Sequence, residues 1–411
     1  MSFPAWFAHV GRRTAELVPI SSPARHRRAA RGPWLLSSDG KMSPERGGID
    51  GPGSRAARGF DRVSRRTTHP PSEAVRRVAP TSDQATLTMN HAPRFALAIL
   101  GAVTLGGCSY APALPVRLPE RPAAVPADVV HEDGTFVGVH ELKLYAQAWR
   151  PRAEPKAVVV LVHGLKDHSA RYAPLAAHLV KEGFAVHAFD LRGHGRSEGM
   201  RVGLGAFDDY LEDLDLFLKR VRAREHDKPV LLFGHSMGGA IVTLYTITHK
   251  PALAGLALSA PALATDVSGA TIGGTKLIAA LAPNAGVFNL DLHQFSRDPA
   301  VVAEGLADPL VYQGAAPAQM ARELLGAFDR LKEHLGEVNV PVLAMHGELD
   351  KVTPPAGSRA LVERAQSKDK TLKLYPGLVH DLLHEPEKEQ VIGDLVKWMN
   401  DHAQSGAAPV K

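Results

Sequence analysis

Three residues, met in order along the chain, have the types that nucleophilic catalysis needs. Ser236 lies in Leu231-Leu232-Phe233-Gly234-His235-Ser236-Met237-Gly238-Gly239, where an apolar run passes through Gly-x-Ser-x-Gly into a helical pattern. A serine hydroxyl is a weak nucleophile until a base removes its proton. Asp350 comes just after the apolar run Val342–Met345, and His380 just after Lys370–Tyr375. A carboxylate and an imidazole thus follow the serine, each behind an expected strand. That order predicts His380 as general base and then general acid, with Asp350 holding its tautomer and stabilising the imidazolium.

The turn at Ser236 carries glycines because larger side chains would clash in so sharp a bend. It holds the hydroxyl above the C-terminal edge of a sheet, and the Met237 N–H, which opens a helix, faces the same space. A second oxyanion donor is expected from the loop Leu161-Val162-His163-Gly164-Leu165, with the Leu165 N–H as candidate and His163 ordering the loop. Asp190-Leu191-Arg192-Gly193-His194-Gly195-Arg196-Ser197 reads as a structural turn. No His/Cys/Asp/Glu cluster has ligand spacing, so no metal is expected.

The elements that must position these groups alternate. Thr135–Val139 and Lys143–Trp149 read as an opening hairpin. Ala157–Val162, Ala185–Phe189, Val230–Phe233, Leu253–Leu258, Val342–Met345 and Lys370–Tyr375 read as strands. Helical patterns occupy Ala173–Lys181, Phe207–Arg224, Gly238–His249, Ala318–Leu335, Ser358–Gln366 and Lys388–Ala403. Apolar strands separated by helices predict an α/β fold, a mostly parallel sheet with helices on both faces. The alternation breaks at about 261–315, where Lys276–Leu281 and Val287–Phe295 are apolar. A helical cap over the site is expected there, with an ordinary helical excursion on the sheet as the alternative.

The remainder of the chain looks different. Of 411 residues, 45% are hydrophobic and 22% charged, a globular composition, and the single cysteine excludes a disulfide scaffold. Residues 1–88 hold 15 basic and 7 acidic side chains, leaving 33 and 36 for the rest. The net charge of +5 therefore belongs to an Arg-, Ser-, Pro- and Gly-rich extension, expected to be disordered, and nucleic-acid binding has no support. Residues 89–107 begin with Met89 and hold the uncharged run Phe95–Leu105, too short for a spanning helix of about 20 residues but suited to a signal-peptide core of roughly 7–15. The run ends in Leu105-Gly106-Gly107-Cys108, which resembles a bacterial lipoprotein lipobox. That resemblance implies acylation of Cys108 after cleavage behind Gly107. It also implies translation from Met89 rather than Met1, and attachment to the membrane of the bacterial cell envelope. Ser109 after the cysteine resembles lipoproteins sorted to the outer membrane. Five prolines between residues 108 and 127 read as an extended tether, and the globular domain as 128–405.

Taken together, His163 to Tyr172 (HG-x-x-D-H-x-x-R-Y), DLRGHGRSEG, GHSMGG, HGELDKVTPP and YPGLVH resemble the monoacylglycerol lipase group of α/β-hydrolases, also labelled serine aminopeptidase-like. Ser296-Arg297-Asp298-Pro299 and Asp308-Pro309-Leu310 match the cap of that group. The resemblance implies an α/β-hydrolase fold and a serine ester hydrolase acting on lipid-like esters, most simply monoacylglycerols, with no cofactor. In that group an acidic residue and the arginine of the HG loop help hold the glycerol head. The matching positions are Asp167, where Glu is more frequent, and Arg171, with His384 as a further polar candidate. An i, i+4 ion pair at a helix start is the alternative for Asp167 and Arg171. A lysophospholipase or general carboxylesterase would use the same three residues. An acyltransferase or a non-catalytic binding module on this fold are the readings of another class.

Overall fold

The structure, a computed structural model, describes residues 129–403. The expectations for 1–88, the signal peptide at 89–107, the tether at 108–127 and Cys108 lie outside the described residues.

An antiparallel hairpin of β1 (Val129–Val137) and β2 (Lys143–Pro151) opens the described chain. Strands and helices then alternate: β3 (Ala157–Val162), α1 (Ala173–Lys181), β4 (Phe184–Phe189), α2 (Asp208–Arg224), β5 (Val230–His235), α3 (Met237–His249) and β6 (Gly255–Ser259). Next come α4 (Gly269–Leu281), β7 (Gly286–Phe288), α5 (Pro299–Ala307), β8 (Ala316–Pro317) and α6 (Ala318–His334). The chain returns to the sheet with β9 (Val342–Gly347), α7 (Pro355–Arg364), β10 (Lys370–Tyr375) and α8 (Lys388–His402).

Eight strands form one sheet in the order β1-β2-β4-β3-β5-β6-β9-β10. The pairs β1–β2 and β2–β4 are antiparallel and every other pair is parallel. The apolar runs have this role because both faces of the sheet are covered. In β3, Val158, Val160 and Val162 pack on one side with Phe217 of α2, Ile241 of α3 and Leu331 of α6. Their neighbours Val159 and Leu161 pack on the other with Leu175 of α1 and Leu395 of α8. The two-residue period of a strand thus divides one run between two cores.

Two departures from the sequence reading have clear causes. β1 starts at Val129, ahead of the expected Thr135, although it carries His131, Glu132 and Asp133. As an edge strand it can leave these outside: Glu132 pairs with Arg224, and His131 stacks on Trp149. The 261–315 stretch is not purely helical, since β7 and β8 pair antiparallel within and just beyond it. Strands of three and two residues are too short to leave a period. The helix α5 was also not anticipated, though Asp298 caps it through the Ala300 N–H and Pro299 occupies its first turn.

Candidate active site

Ser236 sits between β5 and α3 with φ 54° and ψ −121°, a conformation that L-residues adopt at a cost of about 1–3 kcal/mol. The surrounding chain imposes it. The Ser236 N–H donates to Ser259 O at 3.0 Å, and its carbonyl accepts from Ala262 N at 2.9 Å, tying the turn to the strand-end loop beyond β6. The flanking glycines are required by close approach. A Cβ on Gly238 would fall onto the Val162 carbonyl oxygen, and one on Gly234 would lie 2.6 Å from the Gly238 carbonyl oxygen.

Beyond the ends of β9 and β10, the chain delivers the two predicted partners. His380 Nε2 lies 2.9 Å from Ser236 Oγ, and His380 Nδ1 lies 2.8 Å from Asp350 Oδ2. Residues 144 positions apart in the chain therefore form one hydrogen-bonded series, with both side chains of the His380–Asp350 pair fully buried. Asp350 Oδ1 accepts from Val352 N at 2.7 Å and Thr353 N at 3.0 Å. The Thr353 hydroxyl donates to Oδ2 at 2.9 Å. Burial alone would raise the Asp350 carboxyl, but hydrogen bonds from His346 and His380 hold it well below the usual carboxylate range.

Leu165 and Met237 both border the cavity in front of Ser236. His163 orders the loop that carries Leu165: its Nε2 accepts from Leu191 N at 2.9 Å, leaving Nδ1 to donate to Gly164 O at 2.8 Å. Asp190 closes the next turn by accepting from Ser169 N and Arg196 N, both at 2.8 Å. Among the described residues, no group of three or more His, Cys, Asp or Glu could hold a metal ion.

That cavity measures about 530 Å³. Val287, Phe288 and Leu290 bound it from the β7 side, and Ala321, Leu324, Leu325 and Phe328 from α6. The latter four recur at i, i+3, i+4 and i+7, one face of a helix. From α4, Thr271 and Thr275 also line the cavity, while Leu277 and Leu281 are exposed at 61% and 78%.

Both cap motifs are anchors. Arg297 N and the Ser296 hydroxyl donate to buried Glu385 at 2.7 and 2.9 Å, and Phe295 O accepts from Asp381 N at 2.7 Å. The Phe295 ring meets His380 edge-on at 4.9 Å. Asp308 lies 2.8 Å from His168 Nε2, which joins the second motif to the loop after β3.

Asp167, Arg171 and His384 are brought together, but none of the three borders the cavity at Ser236. Arg171 bridges Asp167 at 3.2 Å and Asp381 at 3.3 Å, the Tyr172 hydroxyl donates to Asp167 at 2.9 Å, and His384 Nδ1 lies 2.8 Å from Asp381. Burial would raise the Asp167 carboxyl, yet Arg171 together with His163 and His168 outweighs it and holds the group at about 2. Arg171 and His384 line a different hollow of about 200 Å³, between α1 and the start of α8.

Sequence reasoning passed over His346, Thr353, His235 and Asp381. His235 is buried 5.0 Å from the His380 ring, centre to centre; desolvation and then the neighbouring His380 push its pKa down to about 4. Apart from their neighbours Ser236, Asp350 and His380, nothing in the sequence marks these residues.

A serine held at a strand–helix elbow, over a mostly parallel sheet with a cap, defines an α/β-hydrolase. The chain belongs to the family described as serine aminopeptidase, S33, whose model matches residues 153–387. It is 40% identical over 271 residues to a monoacylglycerol lipase of Mycolicibacterium smegmatis, covering 65% of this chain and 96% of the relative. It is 32% identical over 303 residues to a monoglyceride lipase of Homo sapiens, covering 71% and 99%. A solved Paleococcus ferrophilus monoacylglycerol lipase superposes with a TM-score of 0.57 at 32% identity, covering 63% of this chain and 99% of that one. The protein is a serine carboxylic ester hydrolase.

Proposed function

We propose that the protein hydrolyses lipid-like esters, monoacylglycerols first among them, through an acyl-enzyme on Ser236. The observation that carries this reading is the Ser236–His380–Asp350 series standing at the edge of a 530 Å³ cavity walled by Phe288, Leu290, Leu324, Leu325 and Phe328. An acyl chain is the substrate part that such a wall accommodates. The M. smegmatis and human relatives, a monoacylglycerol lipase and a monoglyceride lipase, support the same choice.

Ser236 Oγ attacks the ester carbonyl carbon while its proton passes to His380 Nε2. The carbonyl oxygen becomes an oxyanion that accepts from the Leu165 and Met237 N–H groups. The intermediate then expels the alcohol, to which His380 returns the proton. Water, deprotonated by the same nitrogen, releases the fatty acid by the reverse sequence. Asp350 keeps the Nδ1 proton in place and offsets the charge on the imidazolium.

A fluorophosphonate probe labels the wild-type protein, and Ser236→Ala removes both the label and esterase activity; full activity in that variant defeats the assignment. Hydrolysis of monoacylglycerol, lysophospholipid and short p-nitrophenyl esters, run side by side, ranks the substrates. We further propose that the protein is held at the outer membrane through lipidated Cys108. Incorporation of an alkyne fatty acid that Cys108→Ser abolishes is the expected result.

A further inference from the structure

We infer that His346 is a positioning residue for the Asp350–His380 pair, holding from behind the same carboxylate oxygen that His380 uses. This rests on the reading of Asp350 and His380 as catalytic partners.

His346 lies at the end of β9, four residues before Asp350, and its side chain is fully buried. Its Nε2 faces the Thr353 carbonyl oxygen at 3.0 Å and Asp350 Oδ2 at 3.1 Å. A carbonyl and a carboxylate only accept, so Nε2 carries the proton. In the neutral ring Nδ1 then accepts from the Ser358 hydroxyl, 2.8 Å away on α7. The tautomer and orientation of this second histidine are thus set at both ends.

Two effects on Asp350 follow. Oδ2 receives the His380 Nδ1–H and the Thr353 hydroxyl and has His346 Nε2 3.1 Å away, which leaves the carboxylate little freedom to rotate away from His380. The His346 donor also draws negative charge off the oxygen that faces His380. With it gone, more charge stays on that oxygen and the protonated form of His380 is favoured. Other charged or titratable groups around His380 remain in place: His235 at the end of β5, Asp381 and His384 on its own loop, and Arg171 and Asp167 behind Asp381. From the cap, the Phe295 ring meets His380 edge-on.

The test is a pH series of kcat and kcat/KM on monoacylglycerol for wild type, His346→Leu, His346→Gln and Ser358→Ala, with Tm measured for each. His346→Leu is expected to lower kcat about tenfold, the scale of one hydrogen bond to a charged group, with little change in KM. The acid limb of its kcat/KM profile should move to higher pH. His346→Gln, which keeps an N–H donor, should bring the limb back toward wild type, and Ser358→Ala, which frees the ring, should shift it partway. An acid limb unmoved in both His346→Leu and Ser358→Ala, whatever happens to kcat and Tm, reduces His346 to packing and overturns the inference. Should His346→Leu fail to fold, Ser358→Ala decides alone. Fluorophosphonate labelling of wild type and Ser236→Ala runs in parallel, so that failure of the Ser236 reading is seen separately.

Discussion

At Ser236 the backbone and side chain are in opposition. The φ of 54° costs about 1–3 kcal/mol, and the hydroxyl returns one buried hydrogen bond to His380, about 0.5–1.5 kcal/mol net. The strain is kept because the fold over-determines the turn and the chemistry needs the hydroxyl raised above the strand ends. Asp350 shows the same concentration of resources: four hydrogen bonds and the His346 Nε2 contact converge on one buried carboxylate. Asp350→Asn can still accept from His380 but carries no charge to offset the imidazolium. It should lower kcat by about 10⁴, as loss of the tautomer-holding acid does in comparable triads, while leaving substrate binding near wild type. Steady-state kinetics on a monoacylglycerol check this.

Between elements, close approach and ionic ties do the positioning. Gly238 lets α3 lie against the end of β3; Gly238→Ala must push the helix off the Val162 carbonyl. An overpacking cost of about 1–3 kcal/mol is expected, together with a fall in kcat because Met237 and Ser236 move with the helix. Denaturant midpoints and turnover measured on the same preparation test the pairing. Arg171 separates two readings of the loop after β3. Arg171 bridges Asp167 and Asp381, and its change to Met leaves these two buried carboxylates with Tyr172 and His384 but without the guanidinium, which should destabilise the protein by about 3–5 kcal/mol. If Arg171 instead held a substrate head, KM would rise with Tm unchanged. The two cap motifs belong to the same scale, since Glu385 and His168 tie the cap to the loops bearing His380 and Leu165.

For the whole molecule, buried titratable groups set the response to acid. Desolvation holds His235 at about 4 and His194 at about 3, against 6.5 for an exposed histidine. Between those values the unfolded chain binds protons that the folded chain refuses, so stability falls as pH drops from about 6.5. Asp167, held at about 2, adds a contribution that is full above its ordinary value of 3.8 and is lost as pH falls from there toward 2. His384 acts in the opposite sense. Burial opposes its charge, but Asp381 raises its pKa, so its contribution is full below 6.5 and is lost as pH rises through the elevated value. Urea midpoints across pH 3–8 should therefore decline on the acid side in two stages, first below about pH 6.5 as the unfolded-state histidines charge and again below pH 4 as Asp167 protonates, with a shallow decline as pH rises above 6.5.

Much of this could be read from residue order alone. β3, β10 and α1 have the bounds that their apolar runs and helical patterns indicated. For β3, an apolar run buried along its whole length, this is because burial on both faces of a sheet is decided locally, by composition and period. Ser236, Asp350 and His380 were likewise legible, since each follows its own strand and parallel strands end on one edge. What required the tertiary structure was everything that depends on a partner from elsewhere in the chain. His346 shares an oxygen with His380, Asp381 joins the Arg171 bridge, and Glu385 clamps the cap. Charged residues could enter β1 because it is an edge, and two-residue β8 exists because β7 lies beside it. A hydrogen bond between residues dozens of positions apart leaves no period behind, so only the folded chain decides which polar groups meet.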